Sequence, residues 1–206
     1  NYYKKQDIKN SEWDVLDALT EKYVSEIADV NADRRHVKWT LNNIKFSNLF
    51  SYGEDNIINF DNLGGITGIF GRNARGKSSI VGAIAYSLFN TTDRGAIKNI
   101  HVINNRKNSC RASSDLTING KPYRVVRETI KKQTKKNIWA PTSLKLYRLD
   151  GAGEILEDIT EEQRRETEKI LRGLIGTSDE FLMTSLASQG EMNTFIKNRA
   201  TQRKAI

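Results

Sequence analysis

The sequence predicts an α/β fold organised around one strand–turn–helix unit, on three observations. Ile66-Thr67-Gly68-Ile69-Phe70 is short, apolar and partly β-branched, as a buried strand should be. Gly71-Arg72-Asn73-Ala74-Arg75-Gly76-Lys77-Ser78 follows at once and matches the pattern G-x-x-x-x-G-K-[ST]. Ile80, Ile84 and Leu88 then recur at four-residue spacing, with Val81 and Ala85 beside them, so a helix starts near Lys77. The central pattern is a phosphate-binding loop. Gly71 and Gly76 let the backbone turn where a Cβ would clash, so that successive N–H groups face inward at phosphate oxygens. The start of the helix adds partial positive charge. Lys77 can reach the β- and γ-phosphates, and the Ser78 hydroxyl can ligate Mg²⁺. The ordinary alternative is a Gly-rich turn before an unremarkable helix. It does not account for strand and helix both falling where the motif needs them.

The elements on either side are read in order. Residues 1–36 look like an appendage. Ser11 with Asp14 resembles a capping box, and Trp13, Leu16, Tyr23, Ile27 and Val30 follow a helical stripe, so a helix is expected from about Glu12 to Val30. It either docks a partner or packs on its own domain, and the pattern does not decide between them. Val37–Phe46 has the β-branched and aromatic content of a strand, and Ile57–Phe60 reads as its hairpin partner. After the loop helix comes a polar, irregular stretch over residues 90–108. Arg111–Asn119, Tyr123–Ile130 and Leu144–Arg148 then predict three more strands, with Asn119-Gly120 as a hairpin turn and Lys131–Pro141 as a basic loop. The result is a mixed sheet with an antiparallel β insert. Thr160 with Gln163 suggests a capping box for a helix over 161–174, ended by Gly176, and Ser178 is expected to cap another.

Composition sets limits. The chain has 206 residues, enough for one domain with an arm. Cys110 is the only cysteine, so no internal disulfide can form, and a reducing, intracellular setting is expected. The longest apolar run, near 83–89, is far too short to span a membrane. The sequence does not begin with Met and ends at Ile206 in a charged, helix-prone run, so an excised or truncated piece is expected. The net charge is +8, but twelve Lys or Arg against two acids between Arg94 and Lys136 give that segment +10. Such a field suits a polyanion, and Lys131, Lys132, Lys135 and Lys136 form its densest cluster, with Trp139 nearby. They are candidate phosphate contacts for nucleic acid; a solvated basic loop is the plain alternative. For Trp139, sheet packing is favoured over base stacking.

The order of a β-hairpin, GRNARGKSS, a basic antiparallel insert, LRGLIG and ASQGEMNTFI resembles the N-terminal ATPase lobe of the SbcC-type double-strand-break-repair family, including phage recombination-endonuclease subunits. These are ABC-type, SMC-related ATPases. The resemblance covers roughly 37–206, dividing the chain into an N-terminal helical extension (1–36) and an N-terminal lobe (37–206). It implies ATP and Mg²⁺ as cofactors. Asn73, Ala74, Arg75, Gly76, Lys77, Ser78 and Ser79 would hold the phosphates, and Asn48 and Ser51 would lie near base and ribose. Gln189 would be the Q-loop residue, its amide oxygen ligating Mg²⁺ directly or orienting a water near the γ-phosphate. With Lys77 it makes up the implied catalytic pair. Implied partners are a C-terminal lobe of the same protein, a second copy joined through ATP-bound lobes, an SbcD-type nuclease and double-stranded DNA. The setting is a bacterial or phage-infected cytoplasm, with no membrane involved.

The sequence departs from the family pattern in three ways. Asn48-Leu49-Phe50-Ser51 has Phe50 where cellular members carry an arginine. The first 36 residues are extra. No LSGG-type signature and no apolar strand ending in Asp-Glu is found, so the expectation is ATP binding without hydrolysis by these residues alone. A related SMC- or RecF-like DNA-tethering ATPase without a nuclease is the alternative. A plain P-loop NTPase or kinase fits less well, because hairpins follow the loop where a parallel sheet should.

Overall fold

In the computed structural model, residues 37–73, 75–92, 98–135 and 137–185 are described, together with Leu19, and of Met183 and Thr184 only the backbone. The elements described below lie in the unit Lys38–Ile206, one of two into which the chain divides. Apart from Leu19, the residues of the helix expected over 12–30 fall outside the described residues, as do the segment carrying Gln189, Ala74 and Lys136.

The framework is a six-stranded sheet, built from β1 (Trp39–Ser47), β2 (Asn56–Asn59), β3 (Ser109–Ile118), β4 (Lys121–Ile130), β7 (Thr142–Leu149) and β8 (Ile155–Asp158). Their order is β2-β1-β3-β4-β7-β8, and every pairing among the described residues is antiparallel. Alternation decides which face is buried. Along β3, Cys110, Ala112, Ser114, Leu116 and Ile118 point inward while Arg111, Ser113, Asp115 and Thr117 point out. Their partners Thr129, Arg127 and Val125 on β4, then Leu144 and Leu146 on β7, continue the inner face. Asn119 and Gly120 both have positive φ (48° and 77°), as a tight hairpin turn between right-twisted strands requires.

Helix α1 (Lys77–Phe89) lies across the inner face. Ala83 and Tyr86 pack with Ile44, Phe46, Val102 and Ile103 in one apolar cluster. Burying a Leu or Ile of this kind contributes about 2 kcal/mol. Helices α2 (Arg164–Ile175) and α3 (Ser178–Thr184) follow. Leu171 and Ile175 of α2 are buried, and α2 lies against β7. Phe181 of α3 stacks at 5.9 Å on Trp39 and 5.2 Å on Phe89, tying α3 to the start of β1 and the end of α1.

Several expectations need correction. Residues 66–70, read as a buried strand, form no strand; Ile66 and Phe70 are almost fully exposed. An apolar run reads as buried only when a neighbouring element covers it, and no described strand pairs with this one. The basic loop between β4 and β7 is not irregular throughout: it folds into a ribbon of β5 (Lys132–Gln133) and β6 (Ile138–Trp139). Trp139 lies on this ribbon, outside the main sheet, and is 45% exposed. Helix α2 begins at Arg164, and the Thr160 hydroxyl, expected in a capping box, accepts from the Leu146 N–H at 3.0 Å instead. The cap of α3 is Thr177, in a reciprocal box with Glu180, not Ser178. Strand β8 was not expected from the sequence.

Candidate nucleotide-binding site

The site is built where residues 71–76 enter α1. Gly76 is the N-cap residue at φ 87°, a left-handed conformation that costs glycine little. It has no side chain to cap the helix, and no acid occupies the first turn. The Ser79 N–H turns back to the Gly76 carbonyl at 3.0 Å, while the Lys77 and Ser78 N–H groups have no intrahelical acceptor and are open to an anion. The Lys77 ammonium lies back over the loop, donating to the carbonyl of Gly71 at 2.6 Å and that of Arg72 at 3.0 Å. Asn73, Arg75 and Ser78 are exposed, while Lys77 and Ser79 are half-buried.

The hairpin turn 48–53 is pressed against this loop. A Cβ on Gly76 would lie 2.8 Å from the Ser51 hydroxyl and 3.3 Å from the Tyr52 ring, so only glycine fits without displacement. The Tyr52 hydroxyl donates to the Gly76 carbonyl at 3.0 Å. Asn48 and Phe50 both have positive φ (59° and 52°), and the turn is held from outside. The Phe50 N–H donates to Val102 O at 2.8 Å and the Asn104 N–H to Asn48 O at 2.8 Å. The Asn104 amide donates to Tyr52 O at 2.9 Å. The buried Asn48 Oδ1 has no hydrogen-bond partner among the described residues. An unpaired buried acceptor beside a phosphate loop suits a ligand donor such as a ribose or base N–H or O–H.

The structure thus brings Ser51 against the loop residue Gly76 and places Asn48 in the same turn. Sequence reasoning passed over Tyr52 and Asn104. Nothing marked Tyr52 beyond its place next to Ser51, and Asn104 sits in a polar stretch that reads as plain loop. Lys131, Lys132 and Lys135 belong to a different element, at and within the β5–β6 ribbon. Among the described residues no group of three or more His, Cys, Asp and Glu would hold a metal ion. Among the described residues, the exposed Ser78 hydroxyl is the loop side chain that could ligate a Mg²⁺ arriving with the nucleotide's phosphates.

A glycine-rich turn opening a helix, an ammonium at its first position and a packed hairpin beside it define a P-loop ATPase lobe of ABC/SMC type. The chain belongs to the AAA domain family, whose model matches residues 43–205. Among its relatives, the uncharacterized protein R555 of Acanthamoeba polyphaga mimivirus is 30% identical over 172 residues, covering 81% of this chain and 12% of the relative. The SbcC component of the nuclease SbcCD of Clostridium acetobutylicum is 28% identical over 166 residues, covering 78% of this chain and 14% of that protein. The chain thus spans only 12–14% of the length of these two relatives. A solved structure described as "Structural biochemistry of ATP-driven dimerization and DNA stimulated activation of SMC ATPases" superposes with TM-score 0.52 at 19% identity, covering 80% of this chain and 95% of that one. That likeness concerns the fold. The resemblance to the SbcC-type lobe stands. Among the described residues no helix is long and apolar enough to cross a membrane.

Proposed function

We propose that the chain is the ATP–Mg²⁺-binding lobe of a DNA double-strand-break-repair ATPase of SbcC type. The observation that carries the proposal is the Gly76–Lys77 helix entry with the 48–53 turn packed against it. Loop amides and the helix start hold the triphosphate, and Lys77 exchanges its two loop carbonyls for phosphate oxygens. Asn48 and Ser51 face the nucleoside. Magnesium, when bound with the nucleotide, neutralises phosphate charge and fixes the phosphates. Gln189 serves as the Q-loop residue by the same resemblance.

Hydrolysis requires acidic residues that complete the metal site and polarise water. On this reading they come from a C-terminal lobe of the same protein, whose strands also cover the exposed 66–70 stretch. A second copy joins across bound ATP, and an SbcD-type nuclease works with the pair on double-stranded DNA. Lys131, Lys132, Lys135 and Lys136 contact DNA phosphates. The site is tested by titrating Mg–ATP calorimetrically into the chain and its Lys77→Ala variant. Binding is expected in the first and abolished in the second; equal affinity would reject the assignment. Turnover of ATP by the chain alone at an ordinary enzymatic rate would reject the dependence on a second lobe.

A further inference from the structure

We propose that Tyr52 is a positioning residue for the phosphate cradle: its hydroxyl, by holding the Gly76 carbonyl, aims the Lys77 backbone N–H at the bound phosphates. The inference rests on the nucleotide reading above. It concerns a residue outside the loop motif that the motif does not specify.

The Gly76 carbonyl and the Lys77 N–H belong to one planar trans peptide and point in opposite directions. Whatever fixes one fixes the other. The carbonyl accepts from the Tyr52 hydroxyl at 3.0 Å and from the Ser79 N–H at 3.0 Å, so both of its lone pairs are taken. With the carbonyl held at the helix side, the N–H faces out of the helix, where an anion would sit. Gly76, at φ 87°, has no Cβ to restrain the rotation of its peptide. A hydrogen bond from outside the loop is therefore most useful here. A donor on the carbonyl also polarises the peptide and makes its N–H a stronger donor.

Tyr52 is itself held rigidly. Its N–H donates to Leu49 O at 2.9 Å, and its carbonyl accepts from the Asn104 amide at 2.9 Å. Its ring meets Phe46 edge-on at 5.1 Å and 87°, and its ring carbons lie 3.3 and 3.4 Å from where a Gly76 Cβ would be. Burial raises the pKa of the phenol, so it stays a donor across the physiological range. The hydroxyl is spent on Gly76, which assigns the residue to the phosphate end of the site.

The test compares the chain with its Tyr52→Phe variant, which keeps the ring and loses the hydrogen bond. Calorimetric titrations with Mg–ATP and with inorganic tripolyphosphate are read beside the melting temperature and the Lys77 amide proton shift on ligand addition. The expected result is an affinity loss of about five- to tenfold for both ligands. The melting temperature should be little changed and the ligand-induced Lys77 shift reduced. A merely structural tyrosine would move the melting temperature and leave that shift alone. Loss of affinity for ATP but not for tripolyphosphate would put Tyr52 at the nucleoside and overturn the proposal, as would unchanged affinity for both. A parent chain that binds neither ligand overturns the nucleotide reading itself. One that binds both, equally with Tyr52→Phe, overturns only the role of Tyr52.

Discussion

Arg127 is a fully buried cation on β4. Its Nε donates to Ser87 O at 3.1 Å and its Nη2 to Leu88 O at 3.4 Å, both at the end of α1. Its Nη1 pairs with Glu168 of α2 at 2.8 Å. Burial lowers its pKa, and the Glu168 carboxylate opposes the shift. A lysine cannot reach three acceptors set in a plane. Removing the guanidinium leaves Glu168 and two carbonyls without it, so Arg127→Met should cost about 3 kcal/mol in urea unfolding. Arg127→Lys should recover little of this, and Glu168→Gln should cost less than either.

Cys110 and Tyr86 titrate on the same buried face. Their side chains meet at 3.8 Å, and the Tyr86 hydroxyl also contacts Thr129 at 2.6 Å. Burial pushes the Cys110 thiol up to about 11 and raises Tyr86 further. A thiol that ionises near its ordinary value only when unfolded makes the native state hold the extra proton. Stability is full below about pH 9 and falls as pH rises towards 11. Cys110→Ala should flatten the part of that slope due to the thiol in alkaline denaturant melts. None of this was legible in the sequence, where Arg127 counted only as surface charge and Cys110 only as an absent disulfide. Burial of a polar side chain depends on partners supplied by α1 and α2, which sequence spacing does not reveal.

At the scale of elements, the ribbon β5–β6 carries the DNA hypothesis. Lys132 pairs across from Trp139, and Lys132, Lys135, Ile138 and Trp139 are all exposed. Replacing Lys131, Lys132, Lys135 and Lys136 together by Glu should weaken duplex binding and flatten its salt dependence, by about 0.9 in log–log slope for each phosphate no longer neutralised. An unchanged affinity and slope would leave the cluster as a solvated ribbon. The strands most legible in sequence were β3 and β4, which flank the Asn119-Gly120 turn, although only β3 alternates in burial and β4 buries Val125, Val126 and Arg127 in succession. Strand β8 was missed because Ile155, Leu156, Glu157 and Asp158 are all exposed and do not alternate in burial. The helix starting at Lys77 was read correctly because glycine, lysine and serine at fixed offsets, followed by apolar residues at four-residue spacing, report a backbone shape. The turn at 47–53 followed from the hairpin reading of its flanking strands, whereas the roles of Asn48 and Ser51 rest on the family resemblance, since positive-φ Asn48 and Phe50 carry no local signal as strong as glycine.

At the scale of the whole molecule, the exposed stretch 66–70 sets behaviour in solution. Ile66, Ile69 and Phe70 are open to solvent beside Leu63. A patch of this kind promotes self-association. Light scattering of the isolated chain should show concentration-dependent assembly that Ile66→Thr with Phe70→Ser reduces, with the melting temperature of the sheet almost unchanged. Adding a C-terminal lobe in trans should suppress the assembly in the same way if that lobe covers the stretch.

The thirteen residues of α1 join the two ends of the molecule's electrostatics. Its head is open to a phosphate anion, and its tail rests on a guanidinium. Each charge sits at the pole of the helix dipole that welcomes it. The guanidinium steadies the last turn through the Ser87 and Leu88 carbonyls, at the end of α1 opposite the proposed phosphate entry.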